Sequence, residues 1–425
     1  MIYNILSNKN VFAELEKGRK MENFIPYGHQ NITEEDIEAV AKVLKANYIT
    51  QGPVVEEFEK AVCEKVGSKH GVCCTNGTSA LHLAMIAAGV NKNDRIIAPA
   101  ITFCASANCA KFLGAEVLFA DIDDKTTITM SGESCRALLE KSKAEGKPIK
   151  AVVTVDMAGY ICDMEAFAKL KEEFGFVWVE DSCHAIGGSW KTKDGKTYRV
   201  GEYSMVDMTV FSFHPVKHIT TGEGGMIVTH SDEYAKSLRF YRSHGMTKVP
   251  ELFQCKEEAF DKNGLVNPWY YEMQDLGFNY RMTELQAALG LSQLKRLESG
   301  IEKRREIVDY YRKEFADCPL ISFPVVDKEK TGHAYHLAIV LIDFEKAGMT
   351  RAAFMTELNK LGIGTQVHYI PVPMLPYYLD KLHGEEFPNA IAYYRKCLSL
   401  PCFPTLSDDD LQRVVRGIKQ VLNRA

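Results

Sequence analysis

The sequence lacks long apolar runs, a basic excess and paired cysteine motifs, and each absence excludes a class of protein. No stretch approaches the roughly twenty apolar residues that cross a bilayer, so we expect no membrane partner. The formal net charge is −5, which argues against a broad nucleic-acid surface. The 12 cysteines show no CxxC spacing, which predicts no metal site and a reducing, cytoplasmic environment.

The composition is that of an ordinary globular protein. With 425 residues, 46% of them hydrophobic and 25% charged, the chain can form two domains. Residues 1–20 mix charged side chains throughout and lack the apolar core of a secretion signal. We interpret them as an extension, with a short amphipathic helix around Val11 to Leu15, that the chemistry does not require.

A lysine follows a predicted buried strand near the middle of the chain. The β-branched and aromatic run from Met208 to Phe213 predicts a strand, and the Thr/Gly-rich segment after Lys217 cannot continue it. Open α/β sheets bind ligands outside the carboxyl ends of their strands, which makes Lys217 a candidate site residue. Such a lysine is either a solvated cation or a partly desolvated amine that bonds to a carbonyl carbon.

A second apolar strand, beginning at Val177, ends in the carboxylate of Asp181. Alternation along the strand predicts that Glu180 points the opposite way. A lysine and a carboxylate are the two groups that pyridoxal 5'-phosphate (PLP) requires, one for its aldehyde and one for its pyridine nitrogen. Helix capping or an ion pair is the alternative role for Asp181.

A phosphate site is predicted at a strand-to-helix turn upstream. The segment from Thr75 to Ala84 contains a small-residue turn followed by a helical pattern. Free N–H groups and the helix dipole favour a phosphate there, which makes Gly77, Thr78 and Ser79 candidate ligands. Together the three segments account for three parts of one cofactor.

Strands alternate with helical patterns over the first two thirds of the chain, which predicts an α/β fold with a mostly parallel sheet. Ser189 to Tyr203 is predicted to be an exposed excursion. After Pro319 the pattern changes to a smaller α+β unit with helices capped by Thr350 and Ser407. Its predicted strands are His333 to Asp343 and Gly364 to His368. We therefore predict an extension at 1–20, a large PLP-binding domain at 21–298 and a small C-terminal domain at 299–425.

The segments GTSALHLA, VEDSCHAIG and SFHPVKHITTGEGG resemble the DegT-like nucleotide-sugar aminotransferases, which belong to the fold type I PLP enzymes. The resemblance extends from about Ile25 to the C-terminus. The segments YGHQ, ITQGP, SHG, GFNYRM and QVHYIP are most similar to the branch that serves pseudaminic acid biosynthesis. That branch implies L-glutamate as amino donor and a UDP-linked 4-keto-6-deoxy-N-acetylhexosamine as acceptor. The product would be UDP-4-amino-4,6-dideoxy-N-acetyl-β-L-altrosamine.

The resemblance also implies roles for single residues and a homodimer with a shared active site. Lys217 would hold the cofactor and shuttle a proton, and Phe103 would lie against the pyridine ring. His184 would lie near the phenolic oxygen, and Ser212 would bind the phosphate. Asn279 would reach that phosphate from the neighbouring subunit. The alternatives are a packed helix-start histidine for His184, a core aromatic for Phe103 and a turn residue for Asn279.

For the nucleotide sugar the resemblance implies contacts from two loops and one tyrosine, each of which could instead be plain loop structure. These residues are Tyr27, Asn47, Tyr48, Ile49, Thr50, Gln366, Val367, His368 and Tyr369. A transaminase for a dTDP- or GDP-linked keto sugar is an alternative. A PLP-dependent dehydratase of the family would carry histidine in place of Lys217. A non-catalytic regulator would need a helix-turn-helix or basic domain, and the sequence contains neither.

Overall fold

The computed structural model describes residues 24–123, 128–379 and 386–423. The predicted helix around Val11 to Leu15 and the extension at 1–20 lie outside the described residues. In chain order the strands are β1 (His70–Cys74), β2 (Arg95–Pro99), β3 (Glu116–Ala120), β4 (Ile149–Val155), β5 (Val177–Asp181), β6 (Ser189–Lys191), β7 (Thr197–Arg199), β8 (Met208–Ser212), β9 (Gly225–Thr229), β10 (Met246–Thr247), β11 (Glu272–Met273), β12 (Ile321–Ser322), β13 (Thr331–Gly332), β14 (Ala338–Ile342) and β15 (Cys397–Leu400). The α-helices are α1 (Glu34–Leu44), α2 (Pro53–Val66), α3 (Gly77–Ala87), α4 (Ala105–Lys111), α5 (Gly132–Ala144), α6 (Met164–Phe174), α7 (Asp232–Arg242), α8 (Lys256–Ala259), α9 (Glu284–Leu294), α10 (Leu297–Glu314), α11 (Arg351–Lys360), α12 (Pro376–Leu379), α13 (Pro388–Lys396) and α14 (Asp408–Leu422).

The main sheet has seven strands in the order β1-β9-β8-β5-β4-β2-β3. Strand β9 is antiparallel to β1 and β8, and the other neighbouring pairs are parallel. Asp181 at the end of β5 lies opposite Val155 of β4 and Val210 of β8. The carboxyl ends of β4, β5 and β8 therefore meet at one edge of the sheet, which is where α/β proteins place ligands.

Both faces of this sheet are covered, because successive strand residues point to opposite sides. Val153 and Val179 pack into a core layer that includes Leu83 of α3. Val152 and Trp178, one position earlier on the same strands, pack into the opposite layer. The predicted α/β class with a mostly parallel, helix-covered sheet is confirmed, and it is the sheet arrangement of fold type I.

The residues after α10 build a smaller unit around an antiparallel sheet in the order β12-β14-β15. Its core combines strand residues such as Val340 with Tyr311, Phe354 and Val414 from three helices. Two predicted caps are confirmed, since Oγ1 of Thr350 accepts from Ala353 N–H and Oγ of Ser407 accepts from Asp410 N–H. The predicted boundary at 298/299 falls inside α10, and the division into domains remains a prediction.

Two local predictions were wrong, and a third prediction holds for part of its segment. Gly364 to His368 forms no strand, because only Gln366 pairs with Ser399 before the chain turns into the central cavity. The strand predicted over 333–343 is confined to Ala338–Ile342, because the carbonyls of His333 and His336 instead accept arginine side chains. The predicted exposed excursion at 189–203 is exposed over residues 193–197. It contains the hairpin of β6 and β7, and the Trp190 side chain anchors that hairpin in the core.

Candidate active site

A cavity of about 290 Å³ opens at the carboxyl ends of the parallel strands. It is lined by residues that are far apart in the sequence but meet at this edge of the sheet. These include Tyr27, Asn76, Gly77, Thr78, Phe103, Asp181, Cys183, His184, Ser212, His214, Lys217, Glu223, His336, His368 and Tyr369. The predicted lysine, carboxylate and helix N-terminus thus share one cavity.

Lys217 lies in the turn that follows β8, and its backbone N–H donates to the His214 carbonyl oxygen at 2.9 Å. Burial lowers the pKa of the Lys217 amine to about 8, and the nearby Arg304 guanidinium acts in the same direction. Asp181 and Cys183 oppose this shift. A lysine with this pKa carries a useful fraction of neutral, nucleophilic amine near neutral pH.

The Asp181 carboxylate is buried and held by two donors. The Ser106 hydroxyl donates to Oδ2 at 2.6 Å, and the Cys183 backbone N–H donates to Oδ1 at 3.2 Å. Ser106 is itself fully buried and hydrogen-bonded to Thr102 at 2.7 Å. Glu180 points away from the cavity and accepts from the Thr209 hydroxyl at 2.8 Å, as the strand alternation predicts. No sequence pattern predicts this role for Ser106, which lies 75 residues from Asp181.

The first turn of α3 forms an anion cradle with Ser212. The N–H groups of Gly77 and Thr78 lie at the start of the helix, where no intrahelical acceptor exists. A Cβ atom on Gly77 would lie 3.0 Å from the Ser212 Cβ and 3.2 Å from the Cys183 Sγ, so a side chain here would crowd the cradle. Ser79 was predicted to bind phosphate with them, but its N–H donates to Asn76 Oδ1 at 2.8 Å and Ser79 is absent from the cavity wall. Ser79 belongs to the helix cap, because a capping box uses both its N–H and its hydroxyl.

His184 is held in one tautomer. Its Nδ1 accepts the Ala158 backbone N–H at 3.1 Å, so the proton of the neutral ring lies on Nε2, 3.5 Å from the Tyr369 hydroxyl. Burial and the Lys217 cation hold the pKa of His184 well below its usual range. Ala158 adopts a left-handed backbone with φ 60°, which aims its N–H at the histidine. His184 is therefore a neutral donor in the cavity wall.

Three further histidines surround the lysine, and of these the sequence predictions included only His368. Burial lowers the pKa of His218 and of His368 to about 3 and holds that of His336 well below its usual range. The His184 and His336 rings lie 4.3 Å apart. His336 lines the cavity, as do His214 and Glu223. The imidazoles around the amine are therefore neutral, and Arg304 is the cation that acts on it.

The predicted ring partner and the predicted substrate residues divide into two groups. Phe103 lines the cavity and remains 46% exposed, with its ring 5.9 Å from that of Tyr369. Tyr27, His368 and Tyr369 also line the cavity. The remaining residues do not. These are Asn47, Tyr48, Ile49, Thr50, Gln366 and Val367.

The reasons for this division are local. Tyr48 and Ile49 are exposed on a surface loop. The side chain of Gln366 accepts the Val367 N–H, and Val367 packs against the core. Asn279 is exposed, pairs with Ser243 through a backbone bridge and lies outside this chain's cavity. A role for Asn279 in a neighbouring subunit's site remains a prediction.

Within the described parts of the chain, no group of three or more His, Cys, Asp or Glu side chains could hold a metal ion. The helices found there include none that is both long and apolar enough to cross a membrane.

Comparison with known proteins assigns this arrangement to a family. A sequence profile described as the DegT/DnrJ/EryC1/StrS aminotransferase family matches residues 30–419. The spore coat polysaccharide biosynthesis protein SpsC of Bacillus subtilis is 36% identical over 96% of this chain and 99% of its own. A UDP-4-amino-4,6-dideoxy-N-acetyl-beta-L-altrosamine transaminase of Campylobacter jejuni is 35% identical over 94% of this chain and 98% of its own. The structure of Helicobacter pylori PseC, an aminotransferase involved in pseudoaminic acid biosynthesis, superposes with a TM-score of 0.82. It is 29% identical and covers 95% of this chain and 100% of its own.

Proposed function

Because the chain belongs to the DegT/DnrJ/EryC1/StrS aminotransferase family, we propose that it binds PLP and moves an amino group from L-glutamate to a UDP-linked sugar. Aminotransferases of this family use PLP. The proposed acceptor is C4 of a UDP-linked 4-keto-6-deoxy-N-acetylhexosamine. The products are 2-oxoglutarate and UDP-4-amino-4,6-dideoxy-N-acetyl-β-L-altrosamine, so the oxygen lost by the sugar is gained by the donor.

The observation that carries the proposal is the convergence of an amine, a carboxylate and an anion cradle in one cavity. Lys217 would hold the aldehyde, and Asp181 would pair with the pyridine nitrogen. Gly77, Thr78 and Ser212 would hold the phosphate. The absence of a Cβ at Gly77 and the two N–H groups without intrahelical acceptors fit a phosphate. The residues present therefore fit PLP.

When bound, PLP supplies an electron sink that eases removal of a proton next to the amino nitrogen. The neutral Lys217 amine takes a proton from the α-carbon of glutamate, and the same group delivers one to C4 of the sugar in the second half. The Ser106 hydroxyl and the Cys183 N–H orient the Asp181 carboxylate, which would then be placed to pair with the pyridine nitrogen. His184 presents its Nε2–H to the cavity.

The choice of sugar is supported by the Campylobacter relative, which is named as a transaminase for this amino sugar, and by three side chains in the cavity wall. Tyr27, His368 and Tyr369 can stack on a base or hydrogen-bond to sugar hydroxyl groups. A different nucleotide-linked keto sugar is the second candidate. The observation that favours it is the sequence identity of 36% to a Bacillus protein named for spore coat polysaccharide biosynthesis, which is as high as the 35% identity to the Campylobacter transaminase. We also propose a cytoplasmic homodimer in which Asn279 completes the partner's phosphate site.

The test offers the purified protein L-glutamate with a panel of UDP-, dTDP- and GDP-linked 4-keto sugars and measures 2-oxoglutarate. We expect turnover with the UDP-linked 4-keto-6-deoxy-N-acetylhexosamine only. Lys217→Ala is the control and should lose at least about a thousandfold in rate while keeping the fold. A preference for a dTDP or GDP sugar would replace the substrate assignment. Undiminished turnover by Lys217→Ala would end the proposed mechanism.

A further inference from the structure

Two buried carboxyl groups lie behind Asp181, on the face of the sheet that points away from the cavity. Glu180 precedes Asp181 on β5 and is 1% exposed, and Asp156 follows the adjacent strand β4 and is 0% exposed. The register of β4 and β5 places Thr154 opposite Glu180, so Asp156 lies just beyond it. The two carboxyl groups interact, because Glu180 raises the pKa of Asp156, and a direct hydrogen bond would join them. Two carboxyl groups can form such a bond only if one of them carries a proton.

The other hydrogen bonds of the pair leave one oxygen for that proton. Asp156 Oδ2 accepts the Ser182 hydroxyl at 2.7 Å, and Oδ1 accepts the Cys162 N–H at 3.2 Å. Glu180 Oε2 accepts the Thr209 hydroxyl at 2.8 Å. Glu180 Oε1 is buried and has no donor among the described residues. A proton shared with Asp156 would satisfy it.

No cation among the described residues compensates the pair, since neither carboxyl forms an ion pair there. Two titratable groups lie near the pair. The Asp181 carboxylate on the same strand raises the pKa of Glu180 although it points to the other face, and the Cys162 thiol is neutral because burial and the pair raise its pKa. Two like charges sharing a dry site cannot both ionise near neutral pH. We propose that Glu180 and Asp156 share one proton and that this carboxyl pair positions the segment carrying Asp181 and His184.

The positioning follows from three hydrogen bonds between the turn after β4 and the segment after β5. The Asp156 N–H donates to the Asp181 carbonyl oxygen at 3.1 Å, and the Ser182 hydroxyl donates to the Asp156 carboxyl. The Ala158 N–H, two residues further on, donates to His184 Nδ1. We call these three hydrogen bonds the β4–β5 clamp. The segment after β5 carries the cavity residues Asp181 and His184, and the turn after β4 carries Asp156. Neither Glu180 nor Asp156 lines the cavity, so both act through their neighbours.

The shared proton makes stability depend on pH with a defined sign. Burial and neighbouring carboxyl groups raise the pKa of Glu180 from 4.5 to about 7 and raise that of Asp156. The folded state then binds more protons than the unfolded state between these values. The stability that Glu180 contributes is complete below about pH 4.5 and is lost as the pH rises through about 7.

The test measures the melting temperature of cofactor-free wild type and Glu180→Gln from pH 5 to pH 8. Glutamine replaces the shared proton by an N–H donor that does not titrate. The advantage of wild type over Glu180→Gln should therefore shrink by at least about 3 °C over this range. Glu140→Gln is the control, because that glutamate is 59% exposed on α5; its difference from wild type should stay constant.

In Asp156→Asn the asparagine N–H replaces the shared proton from the Asp156 side of the pair. This variant replaces Glu180→Gln in the melting experiment if Glu180→Gln fails to fold. Wild type at pH 6 should also show the infrared carbonyl band of a protonated carboxyl that Glu180→Gln lacks.

Asp156→Ala removes the clamp and should weaken PLP binding at least about tenfold with Asp181 intact. Parallel pH profiles and an unchanged infrared spectrum would overturn the shared proton. Unchanged PLP affinity in Asp156→Ala would overturn the positioning role. The melting and infrared readouts need no substrate, so the proposal can fail independently of the proposed function.

Discussion

The hydroxyl of Ser106 donates a hydrogen bond of 2.6 Å to Oδ2 of Asp181, joining the start of α4 to the end of β5. Ser106 has no access to solvent, so no water can replace this bond if the hydroxyl is removed. Removal of this donor should let the carboxylate turn away from the position of a pyridine nitrogen, because hydrogen bonds to charged groups are strong and orient them.

Ser106→Ala should raise the PLP dissociation constant about tenfold, because the Asp181 carboxylate loses one of its two donors. Titration of the cofactor-free protein with PLP, followed by absorbance, measures this. Ser142→Ala is the matched control, since Ser142 is equally buried but its hydroxyl has no hydrogen-bond partner in the described structure. Equal PLP affinities for the two variants would refute the role of Ser106.

The lowered pKa of Lys217 should appear in the rate at which the cofactor-free protein captures PLP. Only the neutral amine attacks an aldehyde, and the pKa of about 8 makes it about half neutral at pH 8. The capture rate should rise with pH and be half-maximal near pH 8, and Lys217→Ala should form no covalent product. A midpoint near the ordinary lysine pKa of 10.5 would mean that the site does not desolvate the amine.

Glu284 holds the loop before α2, which is predicted to contact the sugar nucleotide. Its fully buried carboxylate accepts the Gly52 N–H at 3.0 Å and the Val54 N–H at 2.7 Å, and its own N–H donates to the Ile49 carbonyl oxygen. Glu284→Ala should lower the free energy of unfolding by about 2–4 kcal/mol, because two donors lose their acceptor.

Urea denaturation measures the Glu284 effect, and Glu302→Ala on the exposed face of α10 is the control. Glu284→Gln should fall between wild type and Glu284→Ala, because one amide oxygen remains to accept. If the loop binds the nucleotide sugar, KM for that substrate should rise more than kcat falls. If the Glu284→Ala protein is as stable as Glu302→Ala, the Glu284 carboxylate does not hold this loop.

The proposed contribution of Asn279 to the partner's site can be tested with mixed dimers. Lys217→Ala and Asn279→Asp should each be poorly active alone. If the site is shared, a hybrid dimer contains one site with both changes and one with neither. Random mixing should then restore about a quarter of wild-type activity. If the mixture is no more active than the average of the two separate variants, Lys217 and Asn279 act in the same subunit's site and the site is not shared.

The candidate site was predictable where a local pattern carries the chemistry. Lys217, Asp181 and Gly77 each follow a short apolar strand, and the structure brings all three to one cavity. Ser79 looked like Gly77 and Thr78 in the sequence, but the capping box with Asn76 engages it. The choice between cap and ligand depends on a backbone conformation that composition does not reveal.

Other residues left no local signal. The strand predicted at Gly364 to His368 has suitable residues, but a strand requires a partner along its length and only Gln366 has one. Trp190 lies in a polar segment whose composition predicted exposure, yet packing against the large core buries it. Ser106 and His336 join the site through contacts with residues far away in the sequence.

By itself the sequence determined the alternation of strands and helices in the parallel sheet, two helix caps and the identities of the amine and the acid, because these depend on neighbours within a few residues. Only the tertiary structure decided which side chains lose water and which oxygen each donor reaches. Burial sets the pKa of the Lys217 amine, and the choice of acceptor sets the tautomer of His184. The packing of β4 against β5 also places Glu180 close to Asp156. These features depend on distances between strands that are close in space and far apart along the chain.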